Sequence, residues 1–401
     1  MFWFDKMFSM NSEQFPENIL LAPAHRNPYP WYAALVAGPA LVLDAPRTLW
    51  IASSAAAVQK VLGNSACQVR PSAELVPKGI AGSAAGEVFG YLIRMNEGLR
   101  HDAPRLALER FLAGIDPGHV QARTQALAQS AFRNGQLRAP PLSRWAFDVP
   151  VMAVADLLGF GEAELPQVVR WMLDFVACLS PLSTDAQLAA AGDAAEALLA
   201  RFSTLARSAS SSPQSALAKV QHAARQAGWN DAKALLANMV GLLSQTCEAT
   251  AGLIGNSIVA LATQPGLLET VSHEPGKLLQ TMSEVSRHDP SIHTTRRFVA
   301  EATQVAGVSL QPGDVIVAVL AAAGRDPLCN PCPAEFLMAR TDRYLPGFGH
   351  GAHKCPGQAL ACVIAASALS ALMTSGKLQA IMPREWLYRP SVNARIPVFL
   401  D

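Results

Sequence analysis

One cysteine set among glycines constrains this chain more than any other feature: Phe348-Gly349-His350-Gly351-Ala352-His353-Lys354-Cys355-Pro356-Gly357. The glycines allow sharp backbone turns, and Gly357 removes a side chain that would otherwise collide with a flat ligand beside the sulfur. After Cys355, the run Pro356 to Met373 reads as a buried helix with proline near its first turn. The sulfur is therefore expected beside helical N–H groups and a positive dipole end, which favours thiolate over thiol. A thiolate bound to heme iron trans to oxygen pushes electron density that favours O–O cleavage, whereas histidine would support other chemistry. The loop thus surrounds Cys355 with what a heme-thiolate ligand needs.

The rest of the chain can house such a centre. At 401 residues, half of them hydrophobic, it can bury a large core. A net charge of +1 with both signs dispersed gives no basic footprint for nucleic acid and no acidic disordered block. The opening MFWFDKMFSM is broken by Asp5 and Lys6 and lacks the length of a membrane span or a signal-peptide pattern. The apolar run Ala359 to Met373 is likewise short for a span, so no membrane association is expected. Seven irregularly spaced cysteines do not form a disulfide framework, which suits a cytoplasmic protein. Cys329-Asn-Pro-Cys332 has redox-motif spacing, but it has neither a thioredoxin-like context nor a second pair for zinc.

Periodicity gives a mainly α chain with a minor β portion. A short helix over Asn27 to Ala37 leads into a hairpin-like alternation and a helix at SSAAAVQKVLG, with β-rich stretches at about 38–55 and 290–325. Between about 100 and 288 the pattern is helical, interrupted at Pro117, Pro140-Pro141, Pro181 and the serine-rich stretch near Ser208 to Ser215. No internal repeat and no long linker divides the chain, so a single large domain over 1–401 is expected.

The segment FGHGAHKCPGQALA resembles the signature of the cytochrome P-450 family at every defining position, and the likeness runs from NPYPWY to a terminal hairpin around Val392 to Phe399. This resemblance implies the cytochrome P-450 fold, a heme-ligand loop at 347–357, and heme b (iron protoporphyrin IX) as cofactor. It makes Cys355 the metal ligand, with Phe348 packed beside the sulfur and Gly349 and Gly357 shaping the loop. Glu284 and Arg287, three apart on a helix, can pair; on their own they would read as a surface ion pair. The family's K helix makes them a structural lock behind the heme, with Arg340 a candidate third member. The two heme propionates need cations, and the family positions supply His101, Arg105, Arg297 and His353.

The chain departs from its family in GLLSQTCEATAGLIGNSIVAL. Where the family carries an acid and an alcohol that relay protons to oxygen, this sequence has Gln245, Thr246, Cys247, Glu248 and Ala249. The acid is present and the alcohol is replaced by alanine. Thr250 points about 100° further round the helix, so the remaining routes are water held by Gln245 and Thr246 or a polar group of the substrate, with Glu248 as relay or salt-bridge residue.

The resemblance implies a monooxygenase that inserts one oxygen atom into a small organic substrate, hydroxylation being the default. Electrons would come from a ferredoxin and an NAD(P)H-dependent ferredoxin reductase, with Lys354 and Arg110 as docking candidates, and the protein is expected to be a monomer. Family topology places the substrate pocket at Leu243, Ser244, Ala249, Ile292, His293 and Thr294, together with the loop Ser83 to Tyr91, the region Trp171 to Leu182, and Asn393 to Ile396. Two other readings stay open: a peroxide-driven or rearranging heme-thiolate enzyme, and a catalytically silent module docking on a carrier-protein assembly. Whether the substrate is free or carrier-tethered is undecided by the sequence.

Overall fold

The computed structural model describes residues 15–133, 142–179, 183–209, 212–375 and 382–400. The opening apolar segment and the breaks at Pro140-Pro141 and Pro181 lie outside them. From the N-terminus come α1 (Tyr29–Val36), the hairpin β1 (Leu41–Asp44) and β2 (Leu49–Ala52), α2 (Ala55–Leu62) and β3 (Cys67–Gln68). Ser54 starts α2 by accepting from the Ala57 N–H at 3.3 Å, the usual N-cap bond. The second β-rich stretch gives β4 (Thr294–Val299), β5 (Thr303–Val305), β6 (Val308–Leu310) and β7 (Val315–Val319). The two stretches, far apart in sequence, join in one five-stranded sheet of order β1-β2-β7-β4-β3. Its central strand, β7, reads Val-Ile-Val-Ala-Val with four of five residues buried, as expected of a strand covered on both faces.

The helical body runs through α3 (Ala84–Tyr91), α4 (Asp102–Ala113), α5 (Pro117–Arg133), α6 (Leu142–Leu157), α7 (Leu165–Ala177), α8 (Asp185–Ser208), α9 (Ala216–Gln226), α10 (Ala232–Thr263), α11 (Leu267–His273) and α12 (Leu278–His288). Thr184 and Gln187 form a capping box at the start of α8. The longest helix, α10, begins at Asp231, whose carboxylate accepts from the Ala234 N–H at 3.0 Å, and stops before Pro265 and the left-handed Gly266. It is apolar on nearly all sides, as a helix through the middle of a core must be. It packs on α3, α6, α8 and α13 (Gln358–Thr374).

The C-terminal hairpin, β8 (Glu385–Tyr388) with β9 (Pro397–Leu400), extends over more residues than the sequence pattern indicated. It lies close on α10 because that helix carries Gly252 and Gly255 there. A Cβ on Gly252 would stand 2.6 Å from Ser291 Cβ, and one on Gly255 2.6 Å from Pro397 Cγ. Gly351–Thr374 is long and apolar enough to cross a membrane by composition, but Ile364, Ala365, Ala368, Leu369 and Leu372 are fully buried in the core, the position of an interior helix.

Candidate functional site

The cysteine loop is built by its own backbone. Gly349 takes φ +76° and Gly351 φ +67°, values that L side chains rarely adopt. A Cβ on Gly351 would also meet the Leu62 carbonyl at 3.1 Å, so glycine lets the loop close on α2. The Cys355 N–H donates to the Phe348 carbonyl at 2.7 Å, and Gly349 N–H to Pro346 O at 2.7 Å. Helix α13 starts at Gln358 with Gly357 at its N-cap, later than the sequence suggested, so Pro356 precedes the helix rather than sitting in its first turn. A Cβ on Gly357 would lie 4.0 Å from Cys355 Sγ, directly beside the sulfur. Cys355 is exposed although protein encloses it. Burial pushes its thiol up, against smaller downward pulls from the Gly357 backbone and Arg105. Burial thus works against the helix end at this sulfur, and a bound heme iron would supply the positive charge that favours thiolate.

Three elements bring cations to this loop. At the start of α4, His101 is 3 % exposed; its Nδ1 lies 2.9 Å from Asp102 Oδ1, and its buried Nε2 has no partner. Its ring stands 4.4 Å from that of His353, whose Nε2 lies 2.9 Å from Glu97 Oε2. Arg105 pairs through Nε with Glu109 at 2.6 Å. Arg297, on β4 and 6 % exposed, donates only to Thr295 Oγ1 and the Arg296 carbonyl and has no carboxylate partner among the described residues. Burial lowers its guanidinium, with Glu97 and Cys67 opposing. A buried guanidinium without an acid and a buried imidazole nitrogen without a partner fit an anionic group, and the two propionates of heme would satisfy that requirement.

Behind the loop, Glu284 and Arg287 are both fully buried. Arg287 donates to Glu284 Oε1 from Nε at 3.0 Å and Nη2 at 2.6 Å, and to the carbonyls of Pro333 and Glu335. Leu337 N–H and Arg343 Nε complete the acceptor sites at 2.9 Å each. Burial pushes the Glu284 carboxyl up, but these bonds together hold it below its ordinary value. Arg343 joins the network by a direct hydrogen bond, and the expected Arg340 stands within ion-pair distance. Arg340 Nε stands 3.7 Å from Glu284, and its other nitrogens serve the carbonyls of Pro331 and Cys332.

On α10 the pattern of burial marks a cavity. From Ala237 to Leu261 every residue is buried except Gln245, Thr246, Glu248 and Ala249. Gln245 Nε2 donates to Gly241 O at 2.9 Å and Thr246 Oγ1 to Leu242 O at 2.7 Å. Glu248 Oε1 pairs with Arg389 Nη2 at 2.5 Å. Thr250 is buried with an unpartnered hydroxyl. Two expected pocket residues on this helix are not open: Leu243 is fully buried in the core and Ser244, 5 % exposed, bonds back to Gly241 O. They lie on other sides of the helix from Gln245 and Ala249. Past α12, Ile292 is half-buried, but His293 and Thr294 are closed off. His293 Nδ1 lies 3.1 Å from Tyr32 Oη and Nε2 lies 3.5 Å from Asp289, while Thr294 Oγ1 donates to Val392 O at 2.9 Å. The sequence reading missed Arg343 and Arg389; neither stands at a motif position, and each reaches its place through tertiary contact.

The chain is similar to known proteins in sequence and in fold. The family profile Cytochrome P450 matches residues 278–382. Cytochrome P450 144 of Mycobacterium tuberculosis is 30% identical over 249 residues, covering 62% of this chain and 57% of that protein's length. Among solved structures, CalO2 aligns at a TM-score of 0.81 and 21% identity over 94% of this chain and 95% of that one. P450BioI, in complex with an acyl carrier protein ligated to hexadec-9Z-enoic acid, aligns at 0.78 and 21% over 93% and 97%. The profile, the relative and the fold all point to the cytochrome P450 family, and the chain spans 57% of that relative's length. Family and fold imply heme b, and the cysteine loop and buried cations described above suit it.

Proposed function

We propose that this protein is a heme-thiolate monooxygenase working as one domain, with Cys355 as axial ligand and His101, Arg105, Arg297 and His353 around the propionates. The observation that carries this reading is the accessible Cys355 on a glycine-shaped loop together with the buried, unpartnered Nε2 of His101 and the buried, acid-free Arg297. Bound heme would supply activation of O2 for insertion of one oxygen atom into a small organic substrate, hydroxylation being the default. The protein's part is proton handling. Gln245 and Thr246 both direct their donors to helix carbonyls, which leaves their oxygens free to accept from, and so order, a water. Glu248 is the titratable group beside them, and its pair with Arg389 is partly open, at 30% and 40% exposure, which gives a path to bulk protons.

Electrons are assigned to a ferredoxin and its NAD(P)H-dependent reductase, with Arg110 and Lys354 as candidate contacts, and the location to the cytoplasm. The P450BioI complex makes a carrier-tethered substrate a concrete option to test.

The test is spectroscopic first. The reduced protein under carbon monoxide should show the long-wavelength Soret band of thiolate ligation, and Cys355→Ser should lose it while keeping its far-UV circular dichroism. Retention of the band by that variant would remove Cys355 as ligand. A second reading, peroxide-driven oxidation, is favoured by the missing hydroxyl at Ala249. Product labelled from 18O2 with ferredoxin and reductase supports the first reading, and turnover with hydrogen peroxide alone supports the second.

A further inference from the structure

Away from the cysteine loop and the α10 cavity, α4 and α9 pack on each other, and a cleft of about 680 Å³ opens where they meet. Arg110 and Phe111 enter its lining from α4, and Ala218, Lys219, His222 and Arg225 from α9. Ala218 and His222 are four apart and His222 and Arg225 three apart, so the three share one side of α9. The alanine leaves room there that a longer side chain would fill. Gln221 Nε2 donates to Ala206 O at 3.3 Å, which ties α9 back to α8. Phe111, 5 % exposed, gives the cleft an apolar wall.

The charges of this cleft have one sign. Arg110, Lys219 and Arg225 are exposed, and no aspartate or glutamate is in the lining. Among the described residues none of the three side chains makes a hydrogen bond or an ion pair. Other arginines of the helical body are answered: Arg123 by Asp156 at 2.7 Å, Arg144 by Asp148 at 2.7 Å and Arg201 by Glu164 at 2.6 Å. The acid next to Arg110 in the chain, Glu109, is taken by Arg105 at 2.6 Å. The macrodipole favours a cation in the last turn of a helix, which accounts for Arg110 and Arg225 singly. Lys219 stands in the first turn of α9, where the dipole disfavours a cation. Local helix chemistry therefore does not explain why three cations from two helices line one cleft.

We propose that this cleft binds an organic diphosphate, at a site separate from the heme pocket. A single carboxylate would answer one cation and leave two. A diphosphate ester has three ionisable oxygens, the last with a pKa of about 6 as in a phosphate monoester, and its charge matches Arg110, Lys219 and Arg225 together. Guanidinium forks and an ammonium are the usual donors to phosphoryl oxygens. The volume lies within the range of about 300–1,000 Å³ that small-molecule sites occupy, and Phe111 and Ala218 supply apolar surface for the organic part. No residue of α10 or of the cysteine loop is in the lining, so binding leaves the heme environment as it was.

The holoprotein is titrated by calorimetry at constant ionic strength with two organic diphosphates, geranyl diphosphate and adenosine diphosphate, and with orthophosphate and hexaglutamate as references. At least one of the two diphosphates is expected to bind about 10- to 100-fold more tightly than orthophosphate, with no shift of the heme Soret band. Arg110 is also a candidate ferredoxin contact, so the variants are placed on α9. Lys219→Gln combined with Arg225→Gln should lower that affinity by about tenfold or more, at unchanged heme content and circular dichroism. Ala218→Phe keeps every charge, fills the cleft, and should abolish binding. Binding that survives Ala218→Phe belongs to a charged surface and overturns the proposal. So does a failure of both diphosphates to outbind orthophosphate, an intact affinity in the double variant, or a Soret shift that accompanies binding. Hexaglutamate binding as tightly as the better diphosphate also overturns it, and would mark this face as a dock for an acidic protein.

Discussion

Two glutamates, Glu284 and Glu248, sit on helices of the same core and do opposite things. Glu284 is fully buried, with both oxygens filled by Arg287, Arg343 and the Leu337 N–H. Glu248 is 30% exposed and holds one arginine. A closed network is a device for holding shape, since no group in it can respond without breaking another. The open one keeps acceptor and donor positions in reserve for a ligand. The cysteine side of the molecule is thus built to be rigid, and the α10 cavity to be completed by something the chain does not encode.

The largest expected effect is on the closed side. Glu284→Ala leaves the buried Arg287 without its carboxylate and strips Arg343 of the same partner, which should cost about 3–5 kcal/mol. Urea unfolding should show it, along with poor heme retention. Glu248→Ala removes a half-open pair and should cost less than about 1 kcal/mol. If the two variants lose similar stability, the contrast drawn between them fails.

A second effect follows from the buried polar cluster at the end of α12. Burial holds His293 and His288 down to about 4 from an ordinary value of 6.5. Both are neutral in the folded protein at pH 7, and above pH 6.5 the unfolded chain is neutral there too, so their stabilising contribution is complete. As pH falls from 6.5 toward 4 the unfolded state takes up protons that the fold excludes, and stability declines. The urea midpoint should drop across that window, and His293→Gln should flatten the slope even if it lowers the midpoint at pH 7. A flat profile between pH 7 and 5 would show that these histidines are accessible to protons in the fold.

Legibility of the sequence followed the range of the interactions. The Cys355 loop was readable because its glycines, cysteine and following helix are set by local backbone geometry, and Glu284 with Arg287 because a helix fixes the three-residue spacing. The order of the five-stranded sheet was not, since β2 and β7 meet across more than 250 positions. Arg340 was legible but Arg343, which makes the direct hydrogen bond, was not, for a related reason: both lie in an irregular segment, and the direction of each side chain depends on where Pro331 to Met338 fold back onto α12. His293 read as a pocket wall, but Tyr32 and Asp289 enclose it, contacts made by residues about 260 positions upstream and four upstream.

The smallest effects on stability, and the most informative for chemistry, lie at Gln245, Thr246 and Ala249. Gln245→Ala and Thr246→Ala remove partly open side chains bonded to their own helix and should change stability by about 0.5 kcal/mol or less. Their effect should appear in coupling, the product formed per NAD(P)H consumed. If the two oxygens order the water that carries a proton in from Glu248, each variant should lower coupling by about tenfold, within the range of a positioned proton donor or acceptor. Ala249→Thr should leave coupling unchanged or lower it, because its hydroxyl would compete for that water. A strong rise in coupling with Ala249→Thr, alongside unaltered coupling in the other two variants, would mean that the residue lost from position 249 is simply missing. The α10 cavity would then be a weakened site, with no proton route of its own.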